Sequence, residues 1–101
     1  MPVNKMRAIH PGEILAEEYL EPLGMSANAL AIALQVPATR IGAILKQKRS
    51  ITPDTALRLA RFFGGDAQSW LNLQQAYDLK IEEEKLHNVL NNIQPLELGA
   101  G

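Results

Sequence analysis

The chain has 101 residues, 47% of them apolar and 21% charged, the balance of one ordinary globular domain with a single modest core. Cysteine is absent, which excludes disulfides and thiolate metal sites and is compatible with a reducing cytoplasm. No apolar run approaches the roughly 18 residues that a membrane span needs, and Met1 to Arg7 has no apolar stretch behind it, so no secretory signal is expected.

No segment has the period of a strand, and the pattern predicts an all-α chain. A first helix is expected from Pro11 to Tyr19 or Leu20, with Pro11 in its first turn, Glu13 near its positive end, and Pro22 and Gly24 as stop signals. Ser26 is a natural N-cap for a second helix whose buried stripe is Leu30, Ala31 and Leu34. After the short connection Gln35–Val36, Pro37 opens a third helix that reaches about Lys46. Its apolar face is Ile41, Ile44 and Leu45; Ala38, Thr39, Arg40, Gly42, Ala43 and Lys46 lie on the other. A polar loop follows from Lys46 to Ser50. Thr52 caps a fourth helix with Pro53 at its first position, and Gly64–Gly65 stops it. Asp66 caps a fifth, along which Trp70, Leu73, Gln74 and Tyr77 recur at helical spacing. The pattern extends through Leu79, Ile81, Leu86 and Leu90 to Asn91–Asn92. One domain is expected over residues 1–92, with a loose tail over 93–101.

The second and third helices are short, and so few residues join them that their axes must turn sharply. This is a helix-turn-helix, over about residues 26–46. A helix suits the task because the major groove admits one and shows each base pair a distinct donor and acceptor pattern. The N-terminal residues of the second helix of such a pair reach base edges. Ala38, Thr39 and Arg40, with Ala43 one turn on, are therefore the candidate base readers. Ser26 and Asn28 at the start of the preceding helix, and Lys46, Lys48, Arg49 and Thr52 in or beside the following loop, are candidate phosphate ligands. Ser26 and Thr52 can equally be plain caps, and Arg58 and Arg61 can merely solvate a helix face. Charge is concentrated where this reading needs it. Gln35 to Arg61 holds six bases and one acid, a balance of +5; the remainder holds four bases and ten acids, −6, and together they give the net −1.

Leu71, Tyr77, Ile81 and Leu86 are candidates for a dimer contact, whereas Trp70 and Leu73 are expected to close the core. A dimer is useful because one short helix reads few base pairs, and two copies about 34 Å apart meet successive turns of the groove. Glu82–Glu83–Glu84 and the acidic first helix (Glu13, Glu17, Glu18, Glu21) are either solvated faces or surfaces for a basic partner. Catalysis is not expected. His10, Glu13 and Glu17 are ligand-type residues at helical spacing, but His87 is far along the chain and no phosphate loop, nucleophile elbow or zinc-hydrolase motif is present. His10 reads better as a turn or capping residue.

Several strings resemble one known family, the HigA antitoxins, also called VapI or addiction-module antidotes, of the XRE helix-turn-helix class. They are His10-Pro11-Gly12-Glu13-Ile14-Leu15, then Glu17-Glu18-Tyr19-Leu20-Glu21-Pro22-Leu23-Gly24, then Leu30-Ala31 with Leu34, Val36-Pro37, Arg40-Ile41 with Ile44, and Lys48-Arg49. The run from Ile51 to Gly64 continues the likeness, and Trp70-Leu71-Asn72-Leu73-Gln74 with Tyr77-Asp78-Leu79 completes it. The resemblance implies a five-helix Cro/lambda-repressor-like fold with an extended C-terminal helix. It also implies a cytoplasmic antitoxin of a type II toxin–antitoxin module, a homodimer that represses its own operon through operator DNA. The implied partner is a HigB-type toxin, a RelE-like RNA-cleaving protein; no cofactor, metal or small-molecule substrate is implied. A protein-interaction dimer, or a stand-alone transcriptional regulator without a toxin, is the alternative. Three departures bear on DNA binding. Ala27 stands where the family often has a phosphate-holding Gln. Gly42 and Ala43 replace polar residues on the reading helix, where glycine costs about 1 kcal/mol relative to alanine. Gln47 replaces a loop glycine where a left-handed backbone is common, a strain of roughly 1 kcal/mol.

Overall fold

The computed structural model describes residues 7–97, so the expectation for the end of the tail lies partly outside the described residues. They form helices without strands. Helix α1 has three consecutive stretches: an α-turn at Pro11–Ile14, a π-helical stretch at Leu15–Leu20 and a closing turn at Glu21–Leu23. It is followed by α2 (Ala27–Leu34), α3 (Ala38–Leu45), α4 (Pro53–Phe63), α5 (Ala67–Lys85) and α6 (His87–Asn92). The expected long C-terminal helix is thus two helices, broken at Leu86 (φ −93°, ψ 6°). Residues 93–97 have no helix or strand.

Helix α1 passes through Pro22, where a stop was expected. Proline has no N–H, and its ring crowds the carbonyl four residues back. The wider π register absorbs the mismatch, with the Glu21 N–H donating to Ala16 O. Gly24, left-handed at φ 61°, then ends the helix. At the other end, the buried His10 is the N-cap, its Nδ1 accepting the Gly12 N–H at 2.8 Å. Nδ1 therefore carries no proton, and the ring is the Nε2–H tautomer. The ring packs edge-on against Tyr77 of α5, centroids 4.9 Å apart.

The core is built on the expected stripes. Leu30, Ala31 and Leu34 of α2 face Ile41 and Ile44 of α3, and Leu59 of α4 lies beneath them. Ile41 and Ile44 are 0% exposed; burying such a side chain is worth about 1.5–3 kcal/mol. Tyr19 of α1 sits between Phe63 of α4 and Trp70 of α5, ring centroids 4.8 and 5.1 Å away, so three helices share one aromatic contact. Gly12 lets α1 lie directly on α3, since a Cβ there would run into the Ile44 carbonyl oxygen.

Both helices of the motif end in the same device. Gln35 (φ 60°) and Gln47 (φ 62°) are left-handed. At the end of α2, Gln35 N–H donates to Ile32 O (3.1 Å) and Val36 N–H to Ala31 O (3.0 Å). At the end of α3, Gln47 N–H donates to Ile44 O (2.9 Å) and Lys48 N–H to Ala43 O (2.8 Å). These paired bonds are Schellman closures, which satisfy the last carbonyls and turn the chain sharply. The strain expected at Gln47 is present, and Gln35 shares it.

Gly12→Ala is expected to destabilise the chain by about 3 kcal/mol, as overpacking at a backbone contact does, measured by urea denaturation. Burial holds the His10 imidazole below its ordinary value of 6.5. Below that pH the unfolded chain takes up the proton first, so His10's contribution is complete above pH 6.5 and is lost as pH falls toward its native value. Urea midpoints from pH 7 to 5.5 should therefore fall in the wild type and fall less in His10→Asn. Parallel pH profiles would contradict this assignment.

Candidate nucleic-acid interface

Burial of Ile41 and Ile44 fixes the rotation of α3, and the opposite side of the helix is what solvent meets. Ala38 and Thr39 are exposed in its first turn, and Gly42 and Ala43 are half-buried one turn on. Their small side chains let the helix backbone approach a surface closely. Asn28 is exposed in the first turn of α2. Ser26 is a working cap, its Oγ accepting the Ala29 N–H at 3.0 Å. Thr52 caps α4 in the same way, accepting the Thr55 N–H at 3.4 Å, so both hydroxyls have a structural task whatever else they meet.

The cationic loop after α3 exposes Lys46, Lys48 and Arg49. It is held from both ends. The Schellman closure at Gln47 fixes its start. At its end Ile51 is buried, and the Ile51 N–H donates to Oε1 of the buried Gln74 at 2.8 Å. Gln74 Nε2 in turn donates to Asp78 Oδ1 at 3.0 Å. A buried amide needs partners for both ends, and this one uses them to tie the loop to α5. Gln74 was legible as part of the helical stripe, but its polar character on a buried face was the overlooked signal.

Arg40 is not free. Its side chain is 23% exposed, and Nη1 donates to Asp54 Oδ1 of α4 at 2.8 Å. The same oxygen accepts Arg58 Nε at 2.7 Å, and Arg58 Nη1 reaches the carbonyls of Leu34 (2.8 Å) and Gln35 (3.3 Å). Arg58 therefore caps the C-terminal carbonyls of α2, a favourable place for a cation, rather than merely solvating a helix face. Asp54 is held below the usual carboxylate range, first by the Arg58 hydrogen bond and then by that of Arg40. The spacing of Asp54 and Arg58, four apart on one helix, was a readable pair signal; their link to Arg40 was not.

The four residues expected in a dimer contact divide. Leu71 packs against the chain's own core, and Tyr77 is half-buried against His10. Ile81 is half-buried and Leu86 is 39% exposed. Beyond them Val89, Leu90 and Ile93 are also exposed. Trp70 is buried and Leu73 packs on the core, as expected. Among the described residues no helix is long and apolar enough to cross a membrane.

With this geometry in place, the chain can be set beside known proteins. The helix-turn-helix family model matches residues 17–70. Virulence-associated protein I of Dichelobacter nodosus is 61% identical over 97 residues, 96% of this chain and 89% of that protein. An addiction module antidote protein of the HigA family from Coxiella burnetii superposes with a TM-score of 0.85 at 53% identity, covering 90% of this chain and all (100%) of that one. Pseudomonas aeruginosa antitoxin HigA, in a structure with the higBA promoter, superposes with a TM-score of 0.86 at 42% identity, covering 89% of this chain and 99% of that one. The chain belongs to the helix-turn-helix family, in its XRE, Cro/repressor-like class. Within that class it belongs with the proteins of the HigA/VapI type.

Gln47→Gly should relieve the left-handed strain and raise stability by about 1 kcal/mol, which is about 4–8 °C in Tm for a domain of this size. Differential scanning calorimetry measures it; an unchanged or lower Tm would mean that the Gln47 side chain is itself stabilising.

Proposed function

We propose that this chain is the antidote of a type II toxin–antitoxin module. As a homodimer it binds the operator of its own operon and represses it, and it neutralises a HigB-type toxin. The carrying observation is the exposed first turn of α3, Ala38 and Thr39, next to the tethered cationic loop of Lys46, Lys48 and Arg49. Thr39, Ala38 and Ala43 take the base edges, where a threonine can hydrogen-bond or pack on a thymine methyl. Lys46, Lys48 and Arg49 take phosphates, with Asn28 and the α2 start on the adjacent strand. A relative at 42% identity has been seen with promoter DNA, which supports the same docking here.

The acidic remainder of the chain suits a second role. Glu17, Glu18 and Glu21 are exposed on α1 and Glu82, Glu83 and Glu84 on α5. Proteins that act on RNA carry basic surfaces, and these carboxylates offer such a toxin complementary charge. The dimer contact shifts from Leu71 and Tyr77, which are engaged within the chain, to Ile81, Leu86 and the exposed apolar side chains of α6.

Fluorescence anisotropy with a labelled duplex from upstream of the operon, against a scrambled duplex across a salt series, tests the reading. Operator-selective binding that falls steeply with salt is expected. Lys48→Ala should weaken both duplexes and flatten the salt slope by about one unit, whereas Thr39→Ala should weaken the operator alone. Equal losses on both duplexes for Thr39→Ala would remove it as a base reader. Non-selective, salt-insensitive binding by the wild type would leave toxin capture as the function.

A further inference from the structure

The Arg40 side chain has one buried donor unmet, which simple docking leaves unexplained. Arg40 sits on the edge of α3, between the outward Thr39 and the buried Ile41. Its side chain is 23% exposed, with Nη1 on Asp54 Oδ1 at 2.8 Å, and its Nε is buried without a hydrogen-bond partner. A buried donor on a charged group is costly to leave unmade, so this arrangement satisfies Arg40 incompletely. Asp54 depends less on Arg40 than Arg40 does on Asp54. Its Oδ1 also accepts Arg58 Nε at 2.7 Å, and Arg58 is held independently by the carbonyls of Leu34 and Gln35. If Arg40 left, Asp54 and Arg58 would stay where they are. Asp54 is 54% exposed at its side chain, so its attraction for Arg40 is screened by water and is weak.

We propose that Asp54 is a positioning residue that parks the Arg40 guanidinium off the reading face, so that Arg40 swings out only for a base edge that binds it better than Asp54 does. The proposal rests on the operator-binding reading above. In the free chain Arg40 has one acceptor. A guanine offers O6 and N7 together in bidentate geometry, which one shared carboxylate oxygen cannot match. Adenine, thymine and cytosine edges do not offer that pair of acceptors, so where no guanine stands in register with the docked α3 the arginine stays parked. The operator complex thereby gives up the Arg40–Asp54 contact, whereas a complex on random DNA keeps it, so Asp54 holds down operator affinity more than affinity for random DNA, although Asp54 need not touch DNA.

The test is a double-mutant cycle of Arg40→Ala, Asp54→Asn and both together, with operator and scrambled duplexes at one fixed salt concentration. Removing a carboxylate near DNA strengthens binding by charge alone, and the cycle separates that effect from the parking. Asp54→Asn in the wild-type background should tighten binding to the operator by about fivefold, against about twofold in the Arg40→Ala background and about twofold for the scrambled duplex in either, a ratio within the usual range of coupling between contacting residues. The operator-to-scrambled ratio should rise in Asp54→Asn and should be the same in the double variant as in Arg40→Ala. Urea midpoints of all variants show whether each is folded. The Arg40 Nε–Hε resonance gives a second readout that a purely structural salt bridge would not supply. It should be slow to exchange in the free chain, should lose that protection in Asp54→Asn, and should shift when operator is added but not with scrambled DNA. An additive cycle, or an Nε–Hε signal that operator leaves unmoved, would overturn the parking while leaving operator binding intact. If the wild-type chain shows no salt-sensitive operator binding, the operator-binding reading fails and the proposal fails with it.

Discussion

The outward surface of α3 is set by two side chains that cannot be seen from outside. Ile41 and Ile44, three apart on one helix, are completely buried, and α1 lies so close to Ile44 that only glycine fits at position 12. Rotating α3 would expose both isoleucines, at about 1.5–3 kcal/mol each, and would drive Gly12 into the helix backbone. With the rotation fixed, Ala38 and Thr39 face solvent and Arg40 falls on the border. Which residues α3 presents to solvent is a consequence of core packing, not of any feature of those residues themselves.

The same constraint extends to the cationic loop. Lys46, Lys48 and Arg49 would contribute little to recognition on a loose segment, because ordering it on binding costs entropy. Here the loop is bracketed by the closure at Gln47 and by the Ile51–Gln74 hydrogen bond. Gln74 reaches it from α5, the helix that also carries Trp70 into the aromatic contact with Tyr19. His10 packs on Tyr77 of that same helix. Interface geometry and core stability are therefore coupled, so that acidification which charges His10 acts on the element that also holds the loop.

Much of the helix map was legible because helix ends carry their own chemistry. Ser26 and Thr52 cap as their residue types predict, and Gly24 and Gly64 end their helices. Asp66 holds the N-cap position of α5, but its carboxylate bonds the Ser69 hydroxyl and not a backbone N–H. What escaped the sequence has a common cause: it depends on contacts between elements distant in the chain. Pro22 looked like a terminator because the π register that accommodates it is not coded by any local motif. Gln35 gave no sign of its left-handed backbone, since a glutamine there is tolerated only through the closure that it makes. Leu71 and Tyr77 read as surplus apolar surface because their partners, the core and His10, come from other helices. Arg40 reads from the sequence as an outward residue, whereas its side chain is held by Asp54, which with the α2-capping Arg58 lies on a different helix.

In the proposed complex DNA meets the first turn of α3 and the loop that follows it. Amide chemical-shift mapping of the isotope-labelled chain on titration with its operator duplex tests it most directly. The largest changes are expected on residues 38–43 and 46–50, with α5 beyond residue 79 and α6 showing none that depend on DNA sequence. Changes centred on α5 and α6, or spread evenly with no preference for operator over scrambled duplex, would contradict it.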